Sequence, residues 1–330
     1  MTQDVHKRLN TRTLILMGCF LVALGLLLFF SFSQLRLADR IAHIKYTKVS
    51  SPEDLQAMRD DPSGKYVLTK DIDMSGQSWT PFTFSGVLDG NGYTISNLSI
   101  TGAGSAVRDT YDGNMKKYET GFTGFFDSLE GGQVRNLTFS NIEVTAESDT
   151  PFFAGTIAGY MDQATISDCK VDGSVMLRAH DRMFGVGGLV GYGNGRIENI
   201  EITITLVCID TDRETKDEQF MGGICGAGYP DLLSCYVEID GYASEHGYAH
   251  NGGVLGMYEF YPEGISHEGI CKDNVVFGKI TFFEDNEDRR AYCEPIVGET
   301  VDSITTFDGN GESFQRDEVF NYDVDLLPQK

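Results

Sequence analysis

The chain is predicted to be an all-β protein in which short strands stack as coils of a solenoid. Three observations carry that expectation. A glycine-bracketed apolar segment followed by a short alternating run recurs at a spacing of roughly 30 to 35 residues, the range of stacked repeats. Each repeat holds three short β-like runs, none long enough to bury a core by itself, so neighbouring copies must cover one another. Glycine also returns at the same place in every copy. A glycine inside a strand costs about 0.5–1 kcal/mol relative to alanine, so its repetition marks a corner where the backbone needs unusual freedom or close approach.

The clearest copy is Gly185 to Ile202. Gly187-Gly-Leu-Val-Gly191 leads through a Gly-Asn-Gly turn to Ile197-Glu-Asn-Ile-Glu-Ile202, whose period-two alternation signals a strand. The same order recurs in Gly124-Phe-Phe-Asp127 with Val134 to Phe139, and in Gly155 to Gly159 with Ile166 to Val171. It returns in Gly222 to Gly226 with Leu233 to Val237, and in Gly252 to Gly256 with Cys271 to Val276. A degraded copy, Pro295-Ile-Val-Gly298, follows. A third β-like run often closes the unit, as in Ile142–Thr145, Val175–Leu177, Thr203–Val207 and Lys279–Phe283. Successive coils should lie ~4.8 Å apart. A polar residue recurs in the second run at Asn97, Asn136, Asp168, Asn199 and Ser234. These five are expected to form one structural ladder, bonding along the stack and satisfying polar groups that are costly to bury alone.

Gly-Gly-Leu-Val-Gly followed by Ile-x-Asn resembles the GLUG-motif repeat of bacterial surface proteins. The leader, Asp71 to Met74, Trp79 to Phe82 and Phe84 to Leu98, is similar to the N-terminal module of pectin-lyase-like β-helices. The resemblance covers about residues 46–283. It implies a right-handed parallel β-helix of three-strand coils, exported from the cell and adhesin-like in role. Its motif residues are structural and imply no activity.

Ahead of the coils, residues 1–12 are polar and are read as a cytoplasmic tail. Residues 13–30 run 18 residues without a charge, about 27 Å as a helix, near the thickness of a bilayer core. A single N-terminal transmembrane helix or signal anchor is therefore expected there. A signal peptide cleaved near Ser31-Phe-Ser33, giving a secreted form, is the alternative. Cys19 is no lipidation site, because the apolar run continues beyond it. Three basic residues precede the segment and four follow it closely, so charge does not set its orientation. The extracellular placement of the body comes from the family resemblance. Residues 31–50 are expected to form a stalk. Ser51-Pro-Glu-Asp has the N-cap, first-turn proline and early acids of a helix start, and this helix should cover the open edge of the first coil. The β-helix is assigned to residues 51–298, and the acidic residues 299–330 to a C-terminal cap or tail.

Insertions break the repeats at residues 102–120, 210–219 and 258–268. Insertions in solenoids map to loops, often on a binding side. Tyr258, Phe260 and Tyr261, with Tyr111 and Tyr118, are the candidate recognition residues for a glycan or protein ligand, unless the rings pack onto a neighbouring coil.

Charge excludes one class of partner. Of 26 basic and 49 acidic residues, 7 and 2 precede residue 49, so the remainder carries 19 and 47 and a net charge of −28. Such a body repels phosphate backbones, and nucleic-acid binding is not expected. No loop has the ligand spacing of a dedicated calcium site, and Asp308-Gly-Asn-Gly-Glu312 reads as a plain turn. His246 and His250 have a metal-like spacing, but the surrounding glycines place them in a loop, where that spacing does not align ligands. No metal and no cofactor are expected. Six cysteines follow the apolar segment, at 169, 208, 225, 235, 271 and 293, without a Cys-x-x-Cys. They read as small buried side chains, with disulfides left open by their even count. Cys169 and Cys235 share a coil position with Ile200 between them.

No catalytic residue is assigned. A polysaccharide lyase or glycoside hydrolase is the alternative, since such activities occur on β-helices. It would need a fixed carboxylate pair, and Asp162, Asp168 and Asp172 do not supply one. Gly-x-Ser-x-Gly and phosphate-loop motifs are absent.

Overall fold

The computed structural model describes residues 45–111, 116–179, 183–210, 218–244, 248–258, 270–284, 290–294, 297–300, 306–308 and 311–320, with Phe20 and His43. The chain divides into Met1–Tyr46 and Thr47–Lys330. The segment 13–30 lies outside the described residues apart from Phe20. No helix among those described is long and apolar enough to cross a membrane.

The second unit is a parallel β-solenoid with almost no helix. Three ladders of parallel strands form its long sheet. In the first, Phe126, Ala158, Val190, Cys225, Leu255 and Val297 stand in register. In the second, Leu88, Val134, Ile166, Ile197, Leu232 and Cys271 do so. The third aligns Ile95, Phe139, Val171, Ile202, Val237 and Val276. Almost every one of these side chains points inward and is buried in one continuous core. Period-two alternation thus becomes stacked apolar columns inside and polar columns outside.

A fourth strand per coil was not foreseen. Phe152–Gly155, Met183–Gly187, Glu218–Gly222, Tyr248–Gly252 and Arg290–Glu294 precede each glycine motif and pair in parallel as a separate shorter sheet. The turn from this sheet into the first ladder is what the glycines permit. A Cβ on Gly187 would meet the carbonyl oxygen of Val190 at 1.7 Å, and one on Gly191 would meet that of Gly159 at 2.7 Å. Neither site has room for a side chain.

Parallel pairing is also found outside residues 51–298. Thr47–Val49, in the expected stalk, pairs in parallel with Tyr66–Leu68. At the other end Val297–Thr300, Thr306–Asp308 and Gly311–Phe320 continue the three ladders, so the stack runs on past residue 298. Outward positions of a coil accept charge, so an acidic stretch is compatible with such strands. The helix Pro52–Ala57 forms as its start signal implies: Ser51 Oγ accepts from the Asp54 amide at 3.2 Å, and Leu55 is buried. Near it Trp79 stacks on Phe125 with ring centroids 4.4 Å apart and donates from Nε1 to the Phe125 carbonyl at 2.8 Å. The insertion at 102–120 is a hairpin rather than a loose loop. Val107–Tyr111 pairs antiparallel with Lys117–Gly121 at the edge of the short sheet.

Candidate functional site

The polar ladder settles at corners. Asn136, Asp168, Asn199 and Ser234 follow Arg135, Ser167, Glu198 and Leu233, which stand in register, and all four have φ between 51° and 55°. Asparagine and aspartate tolerate this left-handed conformation better than most residues. Asn199 donates from Nδ2 to Asp168 Oδ1 at 3.2 Å. Asn97 is not in this column. It stands at a different corner, accepting from Asn141 Nδ2 at 2.9 Å and donating to Asp73 at 2.9 Å. The single expected ladder is two, because the same apolar-x-Asn-apolar pattern turns the chain at both corners.

Beside the first corner column lies the outer face of the third ladder. Inward Cys235, Val237 and Ile239 alternate with outward Tyr236, Glu238 and Asp240, and the next coil presents Phe277 and Lys279. Tyr236 is 43% exposed and Phe277 38%, and their rings lie 5.4 Å apart. They are diagonal neighbours, since Tyr236 pairs with Val275 and Glu238 with Phe277. Two large rings thus lie together at a solvent face.

A shallow groove runs from the Asp168–Asn199–Ser234 corner past the rings to Thr205, Asp240 and Lys279. Its lining holds five carboxylates, at Asp168, Asp172, Glu201, Glu238 and Asp240, against the ammonium groups of Lys170 and Lys279. Lys170 forms an ion pair with Glu201. Asp240 Oδ2 accepts from the Tyr242 hydroxyl at 3.0 Å, while its buried Oδ1 has no hydrogen-bond partner among the described residues. A buried acceptor of this kind is costly to leave unmade.

The residues nominated from the sequence are placed differently. Tyr118 is half-buried against a second apolar cluster that includes Phe122 and Phe153, with Lys116 Nζ 4.8 Å above its ring. Tyr111 ends the hairpin strand and Tyr258 ends the strand Leu255–Tyr258, while Phe260 and Tyr261 lie outside the described residues. Tyr236 and Phe277 went unnoticed, although a signal existed: each is an aromatic residue at a polar-face position of an alternating run.

The groups with chemical potential elsewhere are quiet. Cys169, Cys208, Cys225, Cys235 and Cys271 are buried and unbridged. Burial pushes the thiols of Cys169, Cys225, Cys235 and Cys271 up to about 12, and that of Cys208 up as well. Such thiols are poor nucleophiles. His250 belongs to a strand rather than a loop, and its ring stacks on Phe220 at 5.2 Å. Burial drives its pKa down to about 4. His246 lies outside the described residues. Among those described, no three His, Cys, Asp or Glu side chains converge on a metal position. Of the groove carboxylates, Asp172, Glu201 and Glu238 are exposed.

No family model matches the chain. Halomucin of Haloquadratum walsbyi is 32% identical over 162 residues, which take in 44% of this chain and 2% of halomucin. Among solved structures, a Bacteroides ovatus protein provisionally described as an immunoglobulin A1 protease aligns with a TM-score of 0.45 at 18% identity, covering 72% of this chain and 67% of its own. Another, described as an IgA1 protease, aligns at 0.46 and 16%, covering 84% of this chain and 22% of its own. Likeness at that level carries no inference about activity.

Proposed function

We propose that the protein is a non-catalytic, adhesin-like binding module, a rigid stack that displays the Tyr236–Phe277 face to a ligand outside the cell. The exposed ring pair carries this reading. Exposed aromatic side chains two coils deep cost solvation and contribute little to the core, whereas at a binding face they supply contact area with little loss of rotamer freedom. The right-handed course of the coils implied by the family resemblance belongs to the same reading. An exterior location is supported by the apolar run at 13–30 and by the similarity to halomucin over part of the chain. In this reading residues 13–30 hold the protein in the membrane, and the insertion aromatics Tyr258, Phe260 and Tyr261 make a secondary contact.

The test is display of the full chain on cells, scored for attachment to surfaces coated with glycoproteins and with polysaccharides. Attachment should be lost in the Tyr236→Ser/Phe277→Ser variant at unchanged surface expression. Attachment retained by that variant removes this face from the reading. Release of new reducing ends or unsaturated products from any coating would make the protein a hydrolase or lyase instead.

A further inference from the structure

The geometry points to a neutral polysaccharide, bound as an extended chain along the stack with its sugar rings on Tyr236 and Phe277. This rests on the reading that the Tyr236–Phe277 face is a binding surface, and it names the ligand class. Three features of the face select that class.

The first is shape. Tyr236 and Phe277 come from adjacent coils, ~4.8 Å apart, with their rings 5.4 Å from centroid to centroid and tilted by 40°. A pyranose ring is about as wide as that strand spacing. Its axial C–H face is apolar and its rim is hydroxylated, matching an exposed aromatic ring bordered by polar groups, and the 40° tilt suits successive sugars of a twisting chain. A protein partner would need a broad apolar core excluded from water, and two rings bordered by carboxylates do not offer one.

The second is hydrogen bonding. The borders present carboxylates and hydroxyls: Glu201, Glu238 and Asp240, with Thr203 and Thr205 between them. Carboxylates accept only, so they suit a ligand rich in O–H donors. Glu201 and Glu238 are exposed on this face, so their oxygens are open to sugar hydroxyls.

The third is charge. Five carboxylates and two ammonium groups line the groove, within a body whose net charge beyond residue 48 is −28. A uronate polymer, a sialylated glycan or a phosphate chain would bring like charge into this face, and such juxtaposition is strongly unfavourable. A neutral chain escapes that repulsion.

The experiment uses the full chain, purified in mild detergent, in affinity electrophoresis through a neutral β-glucan, a neutral mannan and polygalacturonate. At least one neutral polymer should retard the wild type, with an apparent affinity that changes less than twofold when salt is raised. Tyr236→Ser/Phe277→Ser should weaken retardation at least tenfold, and Glu238→Ala several-fold. Thr203→Arg keeps both rings and fills the middle of the groove. It should also abolish retardation, and it decides the matter if the ring variant does not fold.

Two results overturn the ligand class while leaving the face as a binding surface. One is retardation by polygalacturonate alone, lost in the ring variant. The other is no retardation by any of the three polymers while cell attachment still depends on Tyr236 and Phe277. Neutral-polymer retardation that survives both the ring change and Thr203→Arg, at unchanged melting temperature, overturns the site and the class together.

Discussion

Asn141 donates its side-chain amide to Asn97 Oδ1 across 2.9 Å, and Asn97 passes its own amide to Asp73 at 2.9 Å in the coil beyond. Three coils are thereby tied by one relay on the outside of the stack. Asp73 also accepts from the amide and hydroxyl of Ser75, and these bonds, with the Asn97 amide the largest influence, hold its carboxyl down to about 2.

Replacing Asn97 with Ala should therefore do two things. The Asp73 carboxyl should titrate at higher pH, part of the way back to the ordinary value near ~3.9, with Ser75 holding the rest. Stability should fall by about 1–2 kcal/mol, from the left-handed backbone imposed on alanine at φ 57°. Asn97→Gly keeps the backbone relaxed and should lose less. Carbon-detected titration of Asp73 with denaturant melts of both variants checks this. An unmoved Asp73 would mean that Ser75 alone sets its pKa.

The glycine corners make a contrast within one residue type. Gly187→Ala places a Cβ 1.7 Å from a carbonyl oxygen of its own turn, with backbone on every side. It should cost about 3 kcal/mol or more, since neither the turn nor its neighbours can retreat. At Gly131 the φ is +65° and nothing stands within 4 Å of the added Cβ. There Ala should cost only the conformational strain, about 1–2 kcal/mol. Equal losses at the two sites would refute close packing as the reason for the motif glycines.

The repeat was legible because coil, corner and column each leave a periodic mark. The inward columns follow from alternation, and the corner glycines from their return at fixed places. Three features were not legible, each for a local reason. Phe152–Gly155 and its equivalents run directly into the glycine motif and vary in polarity from coil to coil, so no common pattern sets them off as a separate strand. Asn97 shares the apolar-x-Asn-Leu frame of Asn136, so pattern alone put it at the wrong corner. Tyr236 and Phe277 lie 41 positions apart in the sequence, and only the register across an insertion brings their rings together. A single run shows an aromatic residue facing outward; it does not show that another stands beside it.

The buried thiols should be silent in the folded protein. Cys169, Cys208, Cys225, Cys235 and Cys271 are enclosed, and desolvation holds each thiol far above the pH at which thiolate forms. Alkylation by iodoacetamide at pH 8, mapped by mass spectrometry, should leave all five unmodified until denaturant unfolds the stack, after which all five react together. Labelling of any one of them below the unfolding transition would show a coil that opens locally.

His250 gives the stack an acid-sensitive point. The imidazole is buried against Phe220, and desolvation lowers its pKa from 6.5 to about 4. In the unfolded chain it titrates near its ordinary value, so between about pH 6.5 and 4 the unfolded state binds a proton that the folded state refuses. Stability is therefore unaffected above pH 6.5, falls as pH drops through that window, and levels off below about 4. A difference of ~2.5 pH units corresponds to about 3 kcal/mol at the acid end. His250→Phe keeps an aromatic ring on Phe220 and removes the titration. Its unfolding free energy, measured in urea from pH 7 to 4, should decline less steeply than that of the wild type by about that amount. Carboxylates such as Asp73, whose contribution is lost as pH falls through a lower window, act equally in both proteins and cancel in the difference. Parallel curves would show that His250 is protonated in the folded stack, and that the ring is not shielded where the strand Tyr248–Gly252 places it.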